Sequence, residues 1–227
     1  MFATLTGLGL SSAAGLNAYI PLLIVGLMAR FTDLLPLGAS WQWLEHPVTL
    51  VILGVLLVVE FAADKVPAVD SVNDMIQTVV RPTSGGITFG AGASTVGLAE
   101  ITGAASGAAS SDGVSWGPVV AGVVIALLFH VVKALARPVV NTVTAGCAAP
   151  VVSFLEDVAS FVTSLAAVLL PIIILVVFPL MVLGGVWAVR RGRRLRRQRR
   201  ERGGGGADGT MAGEGPVGPH DPGDRVA

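Results

Sequence analysis

Two acidic residues lie near the end of an apolar stretch, at a spacing that brings them to the same side of a helix. Glu60 and Asp64 are four residues apart in the apolar run 48–66, and residues at i and i+4 share a helix face. An ionised carboxylate at the centre of a membrane costs about 2.5 to 3.5 kcal/mol, so it is normally paired or hydrated. The pattern therefore predicts either a buried ion-pair partner or a route for a solute, an ion or protons.

Three basic or titratable residues repeat this arrangement in a second apolar stretch. His130, Lys133 and Arg137 are spaced i, i+3 and i+7, which also places them on one helix face. We predict that the two helices face each other and that Glu60 and Asp64 pair with Lys133 and Arg137. In one interpretation the pairs clamp two halves of the protein together. In the other they line a site, in which the three residues supply the counter-charge.

A polar stripe follows Pro67. Five polar residues fall within an arc of about 100° on a helix, opposite a side of aliphatic residues: Asp70, Asn73, Asp74, Gln77 and Arg81. The pattern predicts an amphipathic helix of about three turns. Its geometry favours a position at the membrane surface, with the polar face in water. In the alternative, the stripe lines the mouth of an aqueous cavity and Asp70 and Asp74 belong to the route.

Two more polar residues lie in Gly-rich apolar segments. Glu100 is in the middle of segment 85–108 without a charged neighbour in sequence. It is either a proton-coupling group or a surface residue of a segment that ends early. Asn17 lies where Gly15 and Pro21 interrupt the first apolar segment. Its amide could bind substrate or, as we favour, cap a second half-helix.

The composition is that of an integral membrane protein. Of 227 residues, 53% are hydrophobic and only 13% are charged, whereas about 25% are charged in an ordinary soluble domain. The single cysteine, Cys147, excludes an intramolecular disulfide and a cysteine-based metal site. The sequence has no nucleophile–base motif, phosphate-binding loop or metal-spaced histidine set. We therefore expect no enzyme activity and no cofactor.

Five stretches are apolar enough to span a membrane, which takes about 20 residues: 3–29, 48–66, 85–108, 118–136 and 150–189. The first is interrupted near Gly15, which predicts two half-helices. The third is mostly Gly, Ala, Ser and Thr, and we expect it to pack inside the bundle. A Gly-rich segment, a clean helix, a charged end and a proline occur in 3–82 and again in 85–150. This pattern predicts two weakly similar halves, as in many transporters.

The last apolar stretch and the arginines after it decide the predicted topology. Residues 150–189 would be about 60 Å long as one helix, twice a bilayer core, so they form a kinked helix or a hairpin. These alternatives give five or six spans, and we favour six. The basic segment 190–202 places the C-terminus in the cytoplasm and predicts contact with anionic lipid through Arg190, Arg191, Arg193, Arg194, Arg196 and Arg197. The composition of 203–227 predicts a disordered tail.

Three segments carry a resemblance to a known family: "GLGLSSAAGLNAYIPLLIVGL", "VLLVVEFAADKVPAVDSVND" followed by "RPTSGG", and "LEDVASFVTSLAAVLLPIIILVVFPLMVL". They are similar to a bacterial integral-membrane family catalogued as a domain of unknown function, number four thousand one hundred and twenty-six. The similarity covers residues 3 to about 190. The resemblance implies a multi-span inner-membrane protein and places Glu60, Pro67 and Asp70 in a family pattern, but it brings no activity or catalytic residue.

The sequence thus predicts an all-α polytopic membrane bundle in residues 1–189. The predicted function is transport or permeation of a small solute, an ion or a lipid-linked group, along a route formed by Glu60, Asp64, Asp70, Asp74, Glu100 and Asn17. The alternative is a non-transporting membrane scaffold or assembly partner. We expect the bacterial plasma membrane as the location and membrane lipids as partners. A homo-oligomer is compatible with the sequence, and nucleic acid is not expected as a partner.

Overall fold

The computed structural model describes residues 2–64, 67–94, 114–144 and 149–204. All regular secondary structure among these residues is helical. The α-helices are α1 (Phe2–Leu16), α2 (Tyr19–Phe31), α3 (Pro47–Ala63), α4 (Pro67–Ser94), α5 (Trp116–Thr144), α6 (Ala149–Leu169) and α7 (Ile174–Gly204). Two 3-10 helices, Ala39–Glu45 and Pro171–Ile173, precede α3 and α7. The predicted all-α helical bundle is confirmed. The chain divides into two compact units between Val189 and Arg190, and the fold described below is that of the first unit.

Helix α1 lies at the centre of the bundle because most of its residues are small. Its side chains are mostly buried, and it packs against α4, α5 and α6. A Cβ atom on Gly15 would lie only 2.7 Å from the carbonyl oxygen of Ala126 in α5. Small residues allow membrane helices to approach this closely, so the glycines of α1 set its central position.

Helices α4 and α5 cross in backbone contact. A Cβ atom on Gly85 would lie 2.7 Å from the carbonyl oxygen of Gly122, and a Cβ atom on Gly122 would overlap the carbonyl oxygen of Gly85. We call this contact the glycine crossing. The prediction that the third apolar segment packs inside the bundle is confirmed for residues 85–94, most of which are buried. Its remainder, 95–108, lies outside the described residues.

Prolines start α3 and α4, and other prolines lie inside helices. Pro47 and Pro67 begin α3 and α4, where a missing N–H costs nothing. The predicted separation between the amphipathic helix and the third segment is wrong, because α4 continues through Pro82 to Ser94. Helix α5 likewise continues through Pro138. The two predicted halves therefore differ at their corresponding prolines: Pro67 starts a helix, whereas Pro138 lies within one.

The first apolar segment is broken, as predicted, but its two halves run in opposite directions. The direction of each half follows from the positions along α4 that it contacts. Gly7 of α1 packs against the backbone region of Gly92. At the break, the Ser84 hydroxyl donates a hydrogen bond to the carbonyl of Ala18. After α2, the Gly38 N–H donates to Ser94 Oγ at 3.3 Å. The chain thus travels along α4 to the level of Ser84 and returns to the Ser94 end.

Helices α1 and α2 form a re-entrant hairpin with its tip at Asn17 and Ala18. Their 15 and 13 residues correspond to about 22 and 20 Å, less than the 30 Å or so of a hydrocarbon core. Non-helical backbone at membrane depth is tolerated where protein buries it, and Asn17 and Ala18 are both buried. Residues 3–29 were predicted as one broken span. The structure shows two half-helices, as predicted, and adds that they run in opposite directions as a hairpin.

The long apolar stretch 150–189 also forms a hairpin rather than a kinked helix. The Thr163 hydroxyl of α6 lies 3.8 Å from Met181 Sδ of α7. Eighteen residues along one straight helix would separate them by about 27 Å, so the chain reverses at the 3-10 helix between them. By length and composition, two described helices can cross a membrane, Trp116–Leu135 and Pro150–Leu169, and the bent pair Ala39–Glu45 and Pro47–Ala63 makes a third. The count of five to six spans stays a prediction.

The outside of the bundle is apolar and part of its interior is charged. On α3, the only buried residues are Leu53 and Glu60. An apolar residue of this helix, Val58, is 67% exposed, whereas the charged Glu60 is 2% exposed. On α4, Met75 is 74% exposed and Arg81 only 1% exposed. A helix on the surface of a water-soluble protein has the opposite distribution, with charged residues exposed and apolar residues buried. The apolar exterior indicates a membrane-embedded protein.

Candidate functional site

Charged and amide side chains from four helices, together with one residue of the break between α1 and α2, meet at the tip of the re-entrant hairpin. We call this group the tip cluster: Asn17, Glu60, Gln77, Arg81, Lys133, Glu156 and Asp157. Electrostatic interactions connect its parts, since Glu60 is within range of Arg81, Lys133 and Asp157. The cluster therefore acts as one electrostatic unit rather than as separate contacts.

Asn17 stabilises the tip through both ends of its amide. Its Oδ1 accepts hydrogen bonds from the backbone N–H groups of Tyr19 at 3.0 Å and Ile20 at 3.1 Å, which caps the N-terminus of α2. Its Nδ2 donates to Asp157 Oδ1 of α6 at 2.9 Å. The predicted capping role is confirmed. The bond to Asp157 was not foreseen, and it joins the helix break to an ionisable group.

Lys133 stabilises the other helix end at the tip. Its Nζ donates to the carbonyl oxygen of Leu16 at 3.1 Å and forms an ion pair with Glu156 Oε2 at 2.7 Å. Leu16 is the last residue of α1, where the helix dipole is negative and a cation is favourable. A lysine thus lies at the C-terminus of α1, and the carboxylate of Asp157 lies beside the cap of α2.

The deepest ion pair joins α3 to α4. Glu60 Oε1 accepts from Arg81 Nη2 at 3.2 Å, and Arg81 Nε donates to Gln77 Oε1 at 3.3 Å. Both charged side chains are almost completely buried. Within the described residues, Oε2 of Glu60 and Nη1 of Arg81 make no hydrogen bond. The pair therefore leaves one buried hydrogen-bond donor, Nη1 of Arg81, and one buried acceptor, Oε2 of Glu60, unsatisfied among the described residues.

These ion pairs differ from the predicted ones. Glu60 was expected to pair with Lys133, and its ion-pair partner is Arg81. Lys133 instead forms its ion pair with Glu156, although it remains in electrostatic range of Glu60. The physical reason is the orientation of α4, which turns its polar side towards α3. The side chain of Arg137 lies outside the described residues.

The described part of the polar stripe of α4, at Gln77 and Arg81, faces the interior of the bundle. Gln77 and Arg81 are buried, whereas Met75, Ile76 and Val79 on the other side of the helix are exposed. The favoured prediction of a surface helix is therefore wrong for this part of the stripe. In a membrane the low-energy arrangement is inverted, since lipid surrounds the bundle and polar groups find partners only inside it.

Two further contacts extend the polar region. Asp64 Oδ1 accepts a hydrogen bond from Asn73 Nδ2 at 3.1 Å. His130 Nε2 lies 3.2 Å from Thr78 Oγ1, so this histidine joins α5 to α4. Asp64 also lines, together with Asp157, a cleft of about 400 Å³ between the end of α3 and the start of α6. The cleft and the tip cluster therefore share Asp157.

The remaining predicted residues are placed as follows. Asp70 and Asp74 belong to α4 and Arg137 to α5, but their side chains, like all of Glu100, lie outside the described residues. The arginines after residue 189 continue α7 as a helix, with Arg190, Arg191 and Arg194 exposed. The side chains of Arg193, Arg196 and Arg197 are not among those described, and neither is segment 205–227. The predicted roles of all these residues stay predictions.

Sequence reasoning did not assign Arg81, Glu156 or Asp157 to the site. Glu156 and Asp157 were available as a signal, because they are adjacent charges inside a long apolar stretch. Arg81 was recognised as part of the stripe and assigned to the surface. Among the described residues, no group of three or more His, Cys, Asp or Glu side chains is arranged to hold a metal ion. The cluster can form ion pairs and hydrogen bonds, and its charged groups can exchange one ion-pair partner for another.

The fold and the cluster define a helical membrane protein with a re-entrant hairpin and a charged interior. The chain belongs to the family described as Domain of unknown function (DUF4126), which matches residues 4–191. The match covers the helices that build the tip cluster and ends two residues into the second unit. No curated protein and no solved structure matches the chain.

Proposed function

We propose that the protein is a transporter or permeation pathway for a small solute, an ion or a lipid-linked group, and that the tip cluster is its site. One observation carries the proposal: a helix break buried inside a membrane bundle is surrounded by ionisable side chains. Transporters commonly bind substrate where discontinuous helices expose their ends near the middle of the membrane. Here the C-terminus of α1 and the N-terminus of α2 meet Lys133 and Asn17.

The incomplete hydrogen bonding of the central ion pair supports this proposal. A buried pair that served only as a clamp would gain from satisfying every donor and acceptor, since each unpaired one costs about 1 to 3 kcal/mol. Glu60 Oε2 and Arg81 Nη1 make no hydrogen bond within the described residues although both side chains are buried. A water molecule or a solute at this position would satisfy both atoms.

The cleft supplies a route to the cluster. It is lined by Asp64 and Asp157, and Asp157 accepts a hydrogen bond from Asn17 at the tip. A solute that enters from the side of α3 and α6 would therefore meet carboxylates before it reached the Glu60–Arg81 pair. The proposal assigns no catalytic residue, because its chemistry consists of binding and release.

Solute and ion flux into proteoliposomes tests the proposal. The wild type and Glu60→Gln are reconstituted in parallel and screened under pH, sodium and potassium gradients. Flux by the wild type and its loss in Glu60→Gln are expected, because the variant removes a charge from the centre of the cluster. Asp33→Asn is the matched control, since Asp33 is an exposed acid in the connection after α2 and its variant should retain flux. Absence of flux by the wild type under every gradient would contradict the proposal.

A membrane scaffold is the second candidate, and the tight packing of the cluster favours it. Asn17, Glu60 and Arg81 are all buried, and a buried ion pair can fix one arrangement of helices. Absence of flux by the wild type would favour this candidate; where the wild type shows flux, the paired exchange Glu60→Arg with Arg81→Glu, compared with each single variant, separates a clamping role of the ion pair from a role in flux. If it restores folding but not flux, the pair has a functional role. If it restores both, a clamp accounts for the pair.

The proposal also includes the surroundings of the protein. The exposed arginines Arg190, Arg191 and Arg194 would contact anionic headgroups on the cytoplasmic side of a bacterial plasma membrane, where such lipids attract basic segments. Binding of the detergent-purified protein to vesicles with and without anionic lipid, compared for the wild type and a triple Gln variant at these positions, tests this part. Equal binding by both proteins would contradict it.

A further inference from the structure

A second cleft lies where the re-entrant hairpin is followed by α3, and we call it the interfacial cleft. Its volume is about 500 Å³, within the range of about 300 to 1,000 Å³ typical of small-molecule sites. It is lined by residues from the end of α2, the end of the first 3-10 helix and the start of α3: Arg30, Phe31, Gln42, Glu45, His46 and Pro47. None of them belongs to the tip cluster, so the interfacial cleft is a separate feature of the bundle.

The interfacial cleft lies between polar and apolar parts of the surface. Before α3, the polar residues Gln42 and His46 are exposed. In the first turns of α3, the apolar residues Val48 and Val51 are exposed instead. Trp43 is also exposed, and tryptophan is enriched where a membrane-embedded protein meets the lipid headgroups. The cleft is therefore at the level of headgroups, with the lipid-facing surface of α3 beside it.

The interfacial cleft is lined by one basic and one acidic residue. Arg30 Nη1 donates a hydrogen bond to the backbone carbonyl of Glu45 at 3.1 Å, and Arg30 Cζ lies 5.7 Å from the centroid of the Phe31 ring. These contacts hold the guanidinium in place but do not neutralise its charge. Neither of the salt bridges among the described residues includes Arg30 or Glu45. A ligand in the cleft would thus meet a positive and a negative group.

A zwitterion matches this pair of charges better than an ion of either sign. A simple anion would be attracted by Arg30 and repelled by Glu45, and a simple cation would experience the reverse. A guanidinium binds phosphate oxygens through paired hydrogen bonds, and an ammonium group donates charge-assisted hydrogen bonds to a carboxylate. A phosphate and an ammonium group joined by a short linker would therefore interact favourably with both residues.

Two neutral residues of the cleft supplement the guanidinium. His46 Nδ1 accepts a hydrogen bond from the Val48 N–H at 3.4 Å, so the neutral imidazole carries its proton on Nε2. The side-chain amide of Gln42 also has N–H donors. Phosphate oxygens are strong acceptors, which makes a phosphate ester a suitable partner for these groups.

We infer that the interfacial cleft binds a phospholipid headgroup that ends in a primary ammonium group, with the phosphate on Arg30 and the ammonium on Glu45. The acyl chains of this lipid would extend along the exposed apolar residues of α3, such as Val48 and Val51. The inference goes beyond the proposed transport function and does not depend on it. It also differs from the proposed contact of the arginines after residue 189, where the lipid is anionic.

Native mass spectrometry of the detergent-purified full-length protein tests the inference by counting bound lipids during a titration. The probes are phosphatidylethanolamine, phosphatidylcholine and phosphatidylglycerol with identical acyl chains, together with soluble phosphoethanolamine. We expect saturable binding of phosphatidylethanolamine, about threefold to fivefold tighter than that of phosphatidylcholine, whose methylated nitrogen cannot donate a hydrogen bond. Soluble phosphoethanolamine should bind more weakly than the lipid, because it lacks the chains that contact α3.

Two charge variants locate the site. Arg30→Gln and Glu45→Gln should each weaken binding of phosphatidylethanolamine about threefold to fivefold, as expected for a partly exposed charge pair. Glu45→Gln should not weaken binding of phosphatidylglycerol, which has no ammonium group, and it retains the backbone carbonyl that Arg30 contacts. Asp33→Asn, at an exposed acid outside the cleft lining, should bind like the wild type. Size-exclusion profiles and thermal unfolding confirm that each variant is folded.

Four results would overturn the inference. The first is equal binding of phosphatidylethanolamine by the wild type and both charge variants, and the second is equal binding of phosphatidylethanolamine and phosphatidylcholine. The third is a loss of phosphatidylglycerol binding in Glu45→Gln as large as the loss of phosphatidylethanolamine binding, because the ammonium would then have no role. The fourth is binding of soluble phosphoethanolamine as tight as that of the lipid, which would identify the ligand as a soluble phosphate ester.

Discussion

Helix α4 is joined to its two neighbours by opposite means. Against α5 it packs at the glycine crossing, where Gly85 and Gly122 bring the two backbones together. One turn earlier, Arg81 joins it to α3 through the ion pair with Glu60, and the packing between α3 and α4 is otherwise much less extensive. Glycine contacts are stable in lipid without any partner charge, whereas a buried ion pair is costly to form. A bundle that needed only cohesion could use the first kind throughout, which is why we propose the functional site at the second kind of contact.

The largest expected effect comes from breaking the ion pair on one side. Arg81→Leu leaves the Glu60 carboxylate buried without its partner and should destabilise the protein by about 3 to 5 kcal/mol. The double variant with Glu60→Leu should recover most of this loss, because an apolar replacement of both partners is close to neutral. Thermal unfolding in detergent measures both. Arg30→Leu, at an exposed arginine, is the control, and a larger loss there than in Arg81→Leu would refute the comparison.

The glycine crossing should be the next most sensitive contact. Gly122→Ala places a methyl group against the carbonyl of Gly85, and overpacking of this kind costs about 1 to 3 kcal/mol. Gly117→Ala is the matched control on the same helix, because a Cβ atom there has no neighbour within 4 Å. Unfolding curves should show a loss for the first variant and none for the second. Equal curves would show that α4 and α5 are not in backbone contact at this point.

A change in the cap of α2 should lower the free energy of unfolding by a smaller amount. Asn17→Ala removes the cap of α2, a loss of about 1 kcal/mol, together with the bond to Asp157. Asn17→Ser keeps a capping oxygen and loses only the contact with Asp157. The serine variant should therefore unfold between the wild type and the alanine variant. An alanine variant as stable as the wild type would mean that Asn17 does not cap α2.

The smallest effect is expected for a single hydroxyl between α6 and α1. Ser160 Oγ donates to the carbonyl of Ala13 at 3.0 Å. Hydrogen bonds between membrane helices average about 0.6 kcal/mol, so Ser160→Ala should lower stability by about that amount in the same unfolding assay. A loss as large as that of Arg81→Leu would show that the hydroxyl has a role beyond this bond.

Local features of the fold were predictable because they depend on residues close in sequence. Pro47 and Pro67 fix helix starts through their own ring geometry. Asn17 caps the helix that begins two residues later. The small residues from Gly85 to Ser94 can pack only where a neighbour comes close, which is inside the bundle. Each of these expectations needed no knowledge of the partner helix.

The direction of α2 and the partner of Glu60 were not predictable in the same way. A break near Gly15 is compatible with a chain that continues across the membrane or one that turns back. Only contacts with distant residues, such as Gly38 with Ser94, decide between them. Arg81 is 21 residues from Glu60, and it was assigned to water because its stripe was interpreted as an amphipathic helix at the membrane surface. The apolar exterior of the bundle reverses that assignment, because polar groups of α4 then find partners only inside the bundle.

The re-entrant hairpin is the central claim, because it brings the helix ends to the charged interior. Impermeant maleimide labelling of oriented membrane vesicles tests it directly. Two single-cysteine proteins are compared, both in a Cys147→Ala background that removes the natural cysteine: one has a cysteine added before Met1 and the other has Asp33→Cys. The account predicts that the two cysteines react from the same side of the membrane. Labelling of the two from opposite sides of the membrane would contradict it.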